Sequence, residues 1–379
     1  MTAEGAIEFE ALETQAASLM RLFVEAGYER VAPAFIQPAS LFLDRIGEAL
    51  RARTYVFTDP DGEELCLRPD LTIPVCRIFL ERPNSRAITK FCYNGPAFRV
   101  QEGRPDPLRP REFRQAGIEY FGLRSAEADL EVLKLTIEAV RKGGLRNFTI
   151  KLGHIGIFTA LLNALDMPAR WRQRLARSFW RPAVFASELE RLSRPKKHRS
   201  SFLPSDILTC EELLNDLETR SVPFIGLRRP SEIVKRLKEK AADAEELPLS
   251  SATVGIIQDY LRITRRMPDA VDSIETLAGK AKLDISAAVA EARTLFEGLL
   301  PHAGSALLVF AADFGRHFEY YSGMVFQIEI EGAGIPGQIA GGGRYDGLVK
   351  AMSQGRRDVP AVGAAIHTER LLAAAAGKL

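Results

Sequence analysis

Apolar residues recur at helical spacing from residue 8 to 26, through Phe9, Leu12, Ala16, Leu19, Leu22 and Phe23, and Gly27 closes the run. A strand is expected around residues 30–35, with Pro33 suiting an edge or a strand end. Residues 53–59 and 64–68 read as a hairpin turning at Asp59-Pro-Asp-Gly. Leu67-Arg-Pro-Asp-Leu-Thr-Ile-Pro then opens a helix, with Pro69 at its first position and Asp70 and Thr72 at its N-terminal end. Strands are expected at 88–98 and 111–121, separated by a loop rich in Gly and Pro from Gly103 to Pro110. Ser125 should cap a helix over 126–142, where Leu130, Leu133, Ile137 and Val140 form one stripe and Gly143-Gly144 is the stop.

The pattern changes between about 170 and 300, where charge-rich helical periodicity predominates and no strand is expected. Pro230-Ser231 starts a helix there that Pro248 ends, and Arg194-Pro-Lys-Lys-His-Arg reads as a solvated basic link. Strand character returns at Ala306–Ala311. Met324 to Glu331 alternates between Phe326, Ile328, Ile330 and Gln327, Glu329, Glu331, which predicts a half-buried antiparallel strand. Strands at both ends of the chain, divided by helices, imply an α+β fold: an antiparallel sheet flanked by helices. Residues 1–169 and 301–379 would form this core, and 170–300 a helical insertion.

Composition narrows the class. The chain has 379 residues, 46% hydrophobic and 26% charged, enough for two globular domains. A net charge of +2 argues against a nucleic-acid binder driven by bulk electrostatics. No basic leader and no apolar stretch of membrane-spanning length is evident, and Cys66, Cys76, Cys92 and Cys210 show no C-x-x-C pair. A cytoplasmic protein without a zinc site or disulfide framework is the expectation.

Two stretches carry candidate chemistry. In the 111–121 strand, Gln115 and Glu119 lie four apart and share a face, while Ala116, Ile118 and Tyr120 read as buried on the other. A ligand-lined face explains that polarity better than a solvated one. Near the C-terminus, Gly341-Gly-Gly-Arg-Tyr-Asp-Gly demands close approach of backbone to another strand or to a ligand. It lacks the Gly-Lys-Ser/Thr of a phosphate-binding loop, the five histidines lack metal spacing, and no G-x-S-x-G elbow is present.

Several ordered motifs resemble the catalytic core of class II aminoacyl-tRNA synthetases, specifically histidyl-tRNA synthetase. They are Pro33, Leu67-Arg-Pro-Asp-Leu-Thr, Phe98-Arg99 through Glu119-Tyr-Phe-Gly, Arg316-His-Phe-Glu-Tyr-Tyr-Ser-Gly, Gly341-Gly-Gly-Arg-Tyr-Asp-Gly-Leu and Glu369-Arg370. The resemblance covers most of the chain outside the helical insertion. It implies a histidine pocket. Asp70 and Thr72 would hold the α-ammonium, Gln115 the amino-acid backbone and Arg316 the carboxylate. Glu119, Tyr321 and Tyr345 would contact the imidazole, and Arg99 and Tyr320 would complete the histidine-binding set. It also implies a dimer formed through the Pro33 region.

Three departures set the chain apart from a synthetase. It stops nine residues after Arg370, where an anticodon-binding domain would follow. The acid expected after Phe98-Arg99 is displaced to Glu102 behind Gln101. His367 stands where that family has a glycine beside the adenine. A kept amino-acid pocket with a damaged nucleotide site resembles the paralogous regulatory subunits of ATP phosphoribosyltransferase. That likeness implies a non-catalytic subunit with no cofactor. It would assemble with the short catalytic chain, serve the first step of histidine biosynthesis and mediate feedback by histidine. The alternative is a histidine-activating ligase acting on tRNA or another acceptor, kept open by Arg99, Arg316 and Arg370. An RNA-binding role for Arg194–Arg199 is disfavoured by the near-neutral charge.

Overall fold

In the computed structural model, the described residues are 6–43, 51–82, 88–101, 110–194, 209–219, 229–315, 320–333 and 337–378. The expected site residue Arg316, the displaced Glu102, and most of the 103–110 loop and of the 194–199 link lie outside them.

The strands are β1 (Glu29–Arg30), β2 (Ile36–Pro38), β3 (Val56–Thr58), β4 (Glu64–Leu67), β5 (Thr89–Phe98) and β6 (Glu112–Phe121) in the first part of the chain. They continue as β7 (Thr149–His154), β8 (Thr264–Arg266), β9 (Leu307–Ala311), β10 (Met324–Glu329), β11 (Gln338–Arg344) and β12 (Ala361–His367). One sheet runs β1-β5-β6-β12-β11-β10-β7-β9-β8, antiparallel throughout except for the β1/β5 and β7/β9 pairs. A small antiparallel sheet, β2-β4-β3, stands apart from it. This is the expected α+β architecture, and β6-β12-β11 lie near the centre of its large sheet.

Helix Ala6–Glu25 ends as its sequence predicts. Gly27 takes φ 87° and the Tyr28 amide returns to the Phe23 carbonyl, a turn that glycine enters without a Cβ penalty. Helix Ala126–Lys142 has Asp129 in its first turn and Lys142 in its last, matching the helix dipole. It covers one face of the large sheet. On the other, Phe79 stacks on Phe121 of β6 with ring centroids 4.3 Å apart.

Several local expectations are corrected. The chain from 31 to 35 is not a strand: β1 ends at Arg30 and β2 begins at Ile36, because Pro33 cannot donate to a ladder. The helix after Leu67 starts at Thr72, not Pro69, since Asp70 Oδ1 accepts the Ile73 amide and so closes its first turn. Ser125 occupies the N-cap of the 126–142 helix, but its hydroxyl makes no capping bond; its carbonyl is taken by Arg344. β10 is covered on both faces, because its polar positions Gln327 and Glu329 face a cavity rather than solvent.

The chain divides into two compact units, Met1–Ala164 with Gln258–Leu379, and Leu165–Ile257. The expected insertion reaches to 300, but residues 258–300 belong to the first unit. They include β8, a strand the helical periodicity of that region conceals, which pairs with β9. Helix Ser286–Ala303 packs so closely on the 126–142 helix that a Cβ on Gly298 would lie 2.7 Å from Leu130. The elements among the described residues of the second unit are helices, and inside it Asp243 accepts hydrogen bonds from Arg170, Arg174 and the Trp171 indole.

Candidate functional site

Antiparallel pairing of β6 with β12 sets Glu119 opposite Gly363, and β12 with β11 sets Gly363 opposite Gly343. The strands carry glycine here because the space above them is taken. A Cβ on Gly363 would fall 1.6 Å from Glu119 Oε2, and one on Gly342 would fall 2.1 Å from the Gly363 carbonyl oxygen. A Cβ on Gly117 would lie 2.4 Å from the Tyr93 hydroxyl, and one on Gly343 3.0 Å from the Tyr321 ring. The close approach demanded by the glycine run is therefore to neighbouring strands and to tyrosines.

Over this floor lies a cavity of about 690 Å³. Seven of the nine expected site residues line it: Asp70, Thr72, Arg99, Gln115, Tyr320, Tyr321 and Tyr345. Glu119 is not on the wall. It is 0% exposed and hydrogen-bonded to side chains that surround it: the Tyr345 hydroxyl, the Tyr93 hydroxyl at 3.1 Å and the Thr72 hydroxyl. Burial raises its carboxyl to about 7, against the pull of these three donors. Tyr320, Tyr321 and Tyr345 form one aromatic cluster with centroids 4.8, 5.7 and 6.5 Å apart.

The same cavity wall is polar in a second way. Asp70 is buried, and burial raises its carboxyl above the usual range. Its Oδ1 accepts the Ile73 amide at 3.2 Å, while Oδ2 has no partner. Gln115 is also buried, and its Oε1 has no partner either. Two orphaned acceptors on residues of one cavity wall suit a ligand rich in N–H donors, such as an ammonium group.

Beyond them, the Arg99 guanidinium lies 4.8 Å above the Phe113 ring, donates to the Pro69 carbonyl at 2.8 Å and adds a cation to the wall. The His367 imidazole packs against the same Phe113 ring, with centroids 5.3 Å apart. Arg370 donates to the Gln338 carbonyl, and Glu369 accepts the Arg114 amide, fastening the start of the 368–375 helix to β6.

Sequence reasoning did not find Tyr93, Phe113, Lys151, Gln327, Glu329 or Gln338 as site residues. Tyr93 sits in an apolar strand and carries no signal of its own. The polar side of β10 was visible as alternation, but a solvated face and a cavity face have the same period.

The histidyl-tRNA synthetase family model matches residues 6–245 and 227–371. An ATP phosphoribosyltransferase regulatory subunit of Mesorhizobium japonicum is 34% identical over 372 residues, covering 94% of this chain and 96% of the relative. The Rhizobium meliloti protein of the same name is 34% identical over 385 residues, covering 96% and 97%. The chain belongs to the ATP phosphoribosyltransferase regulatory subunit family.

Solved structures agree on the fold of this family. One described as an ATP phosphoribosyltransferase regulatory subunit/histidyl-tRNA synthetase from Bacillus halodurans superposes with a TM-score of 0.70 at 22% identity, covering 99% of this chain and 81% of that one. A histidyl-tRNA synthetase from Nostoc gives 0.64 at 18% identity, covering 98% and 73%. The regulatory subunit family thus shares its fold with histidyl-tRNA synthetases.

Proposed function

We propose that this protein is the non-catalytic regulatory subunit of ATP phosphoribosyltransferase, partners a short catalytic chain in the first step of histidine biosynthesis, and carries a histidine site in the cavity described. The names of its relatives support the role. The observation that carries the ligand is the pair of orphaned acceptors, Asp70 Oδ2 and Gln115 Oε1, in the same cavity as the Tyr320–Tyr321–Tyr345 cluster. A histidine zwitterion supplies an ammonium for the first pair. Its imidazole N–H supplies a donor for the hydroxyl oxygens of the tyrosine cluster.

His367 supports a regulatory rather than an adenylating role. Its imidazole packs on Phe113, so a flat ring stacking there would have to displace it. Regulation then needs only linkage: histidine that binds one assembly state better than another shifts the population toward it. The Pro33 region supports self-association. Phe35 (52%), Ile36 (51%), Val56 (41%) and Phe57 (39%) are exposed on and beside β2-β4-β3. Val56 and Phe57 are consecutive and point to opposite faces, so the small sheet has an apolar surface to cover on each side. No helix among the described residues is long and apolar enough to cross a membrane; a cytoplasmic complex without nucleic acid is the setting this reading implies.

The test is reconstitution. Mixing the purified protein with a short ATP phosphoribosyltransferase catalytic chain should raise phosphoribosyl transfer, and histidine should lower it again. No activation of that chain would sink the proposal.

A further inference from the structure

We propose that Arg344 is a positioning residue for the aromatic end of the histidine pocket, acting through two tyrosine-bearing segments that it clamps together from behind. The inference rests on the pocket reading above. Arg344 is the last residue of β11, is buried, and is not part of the cavity wall. The two terminal nitrogens of its guanidinium serve four partners. It pairs with Asp129 in the first turn of the 126–142 helix and with Asp346 at 2.9 Å. It also donates to the Leu123 carbonyl at 3.2 Å and the Ser125 carbonyl at 3.1 Å. A planar fork with five N–H groups can hold four acceptors in fixed directions, which an ammonium cannot.

What this fixes lies on the pocket side. The Arg344 carbonyl accepts the Ser322 amide at 2.8 Å, and the Asp346 amide donates to Ser322 Oγ at 3.1 Å. The arginine stem lies flat on Gly323, where a Cβ would come within 3.0 Å of Cδ. Gly323 in turn accepts the Ile155 amide at 2.9 Å. Tyr320 and Tyr321 immediately precede this anchored Ser322-Gly323 pair. On the other flank, Asp346 Oδ1 accepts the Ala361 amide at 3.1 Å while the Tyr345 amide donates to the Ala361 carbonyl at 2.8 Å. Arg344 therefore reaches the backbone on both sides of the Tyr320–Tyr345 ring contact, through its carbonyl and stem at Ser322-Gly323 and through the Asp346 carboxylate that its guanidinium holds at Ala361, and Tyr345 carries that placement to Glu119. Buried charged networks of this kind hold geometry because removing one member leaves the others unsatisfied.

Two variants approach the cluster from opposite sides. Arg344→Lys keeps the charge and loses the fork; Asp129→Asn keeps the shape and loses the charge, on a helix remote from the cavity wall. Both are compared with wild type and with Arg293→Lys, a surface control. The readouts are thermal melting, histidine titration by calorimetry, and near-ultraviolet circular dichroism of the tyrosines. Both tryptophans, Trp171 and Trp180, lie in the other unit and give a constant background. The expected result is a cooperative melt, an altered tyrosine band and histidine binding weakened about tenfold or more in both variants, with the control unchanged. Folded variants with the wild-type tyrosine band and wild-type affinity would overturn the proposal. Loss of the cooperative melt in both would also overturn it, because the cluster would then hold up the fold rather than position the tyrosines. If wild type itself binds no histidine, the pocket reading fails, and the tyrosine band still decides whether Arg344 orders the aromatic cluster.

Discussion

Glu119 offers the sharpest test of the physical account. Its carboxyl is fully buried and titrates near 7, against about 4.5 in an unfolded chain. The sign follows from proton uptake. Between those two values the folded state holds a proton that the unfolded state has lost, so stability falls as pH rises through the window. At about 1.4 kcal/mol per pH unit, ionising this group in place costs about 2 to 3 kcal/mol between roughly pH 5 and pH 8. Glu119→Gln keeps the volume and the contacts to Tyr93 and Tyr345 but cannot ionise. Urea unfolding of wild type and variant at those two pH values isolates the effect. Asp70, Asp129 and other groups titrate in both proteins and largely cancel in the difference. The variant should gain about 2 to 3 kcal/mol on wild type in going from the lower pH to the higher. Its histidine affinity should fall by about tenfold or more, since an amide is a weaker partner for the Tyr345 hydroxyl that Glu119 holds at the cavity. A stability difference that is the same at both pH values would refute the claim that burial governs this carboxyl.

Gly363→Ala should abolish histidine binding in a folded protein, because the new methyl would collide with Glu119 and with the Ile118 carbonyl 2.8 Å away; calorimetry with unchanged far-ultraviolet dichroism checks it. His367→Gly should uncover Phe113 yet leave ATP–pyrophosphate exchange at background, since Glu102 remains displaced in sequence; exchange above background would revive the ligase alternative. Phe57→Glu should shift the protein toward monomer by light scattering if the small sheet is the self-association surface, and an unchanged mass would place that surface elsewhere.

The sequence by itself determined whatever depends on local period and local chemistry. A strand period of two put Gln115 and Glu119 on one face, a helical stripe marked 126–142, and consecutive glycines announced close packing around 341–343. Ordered motifs then identified the family before any coordinates. Only the tertiary structure decided which strands lie side by side. Tyr345 and Glu119 are 226 residues apart and meet because β12 lies between β6 and β11. The same pairing seats His367 on Phe113, while the pairing of β5 with β6 brings Tyr93 to Glu119. It also left Gln327 and Glu329 facing a cavity, a state that their alternation shares with ordinary solvent exposure. Side-chain period is a property of a few consecutive residues, whereas strand order is set by contacts between distant segments that no local pattern records.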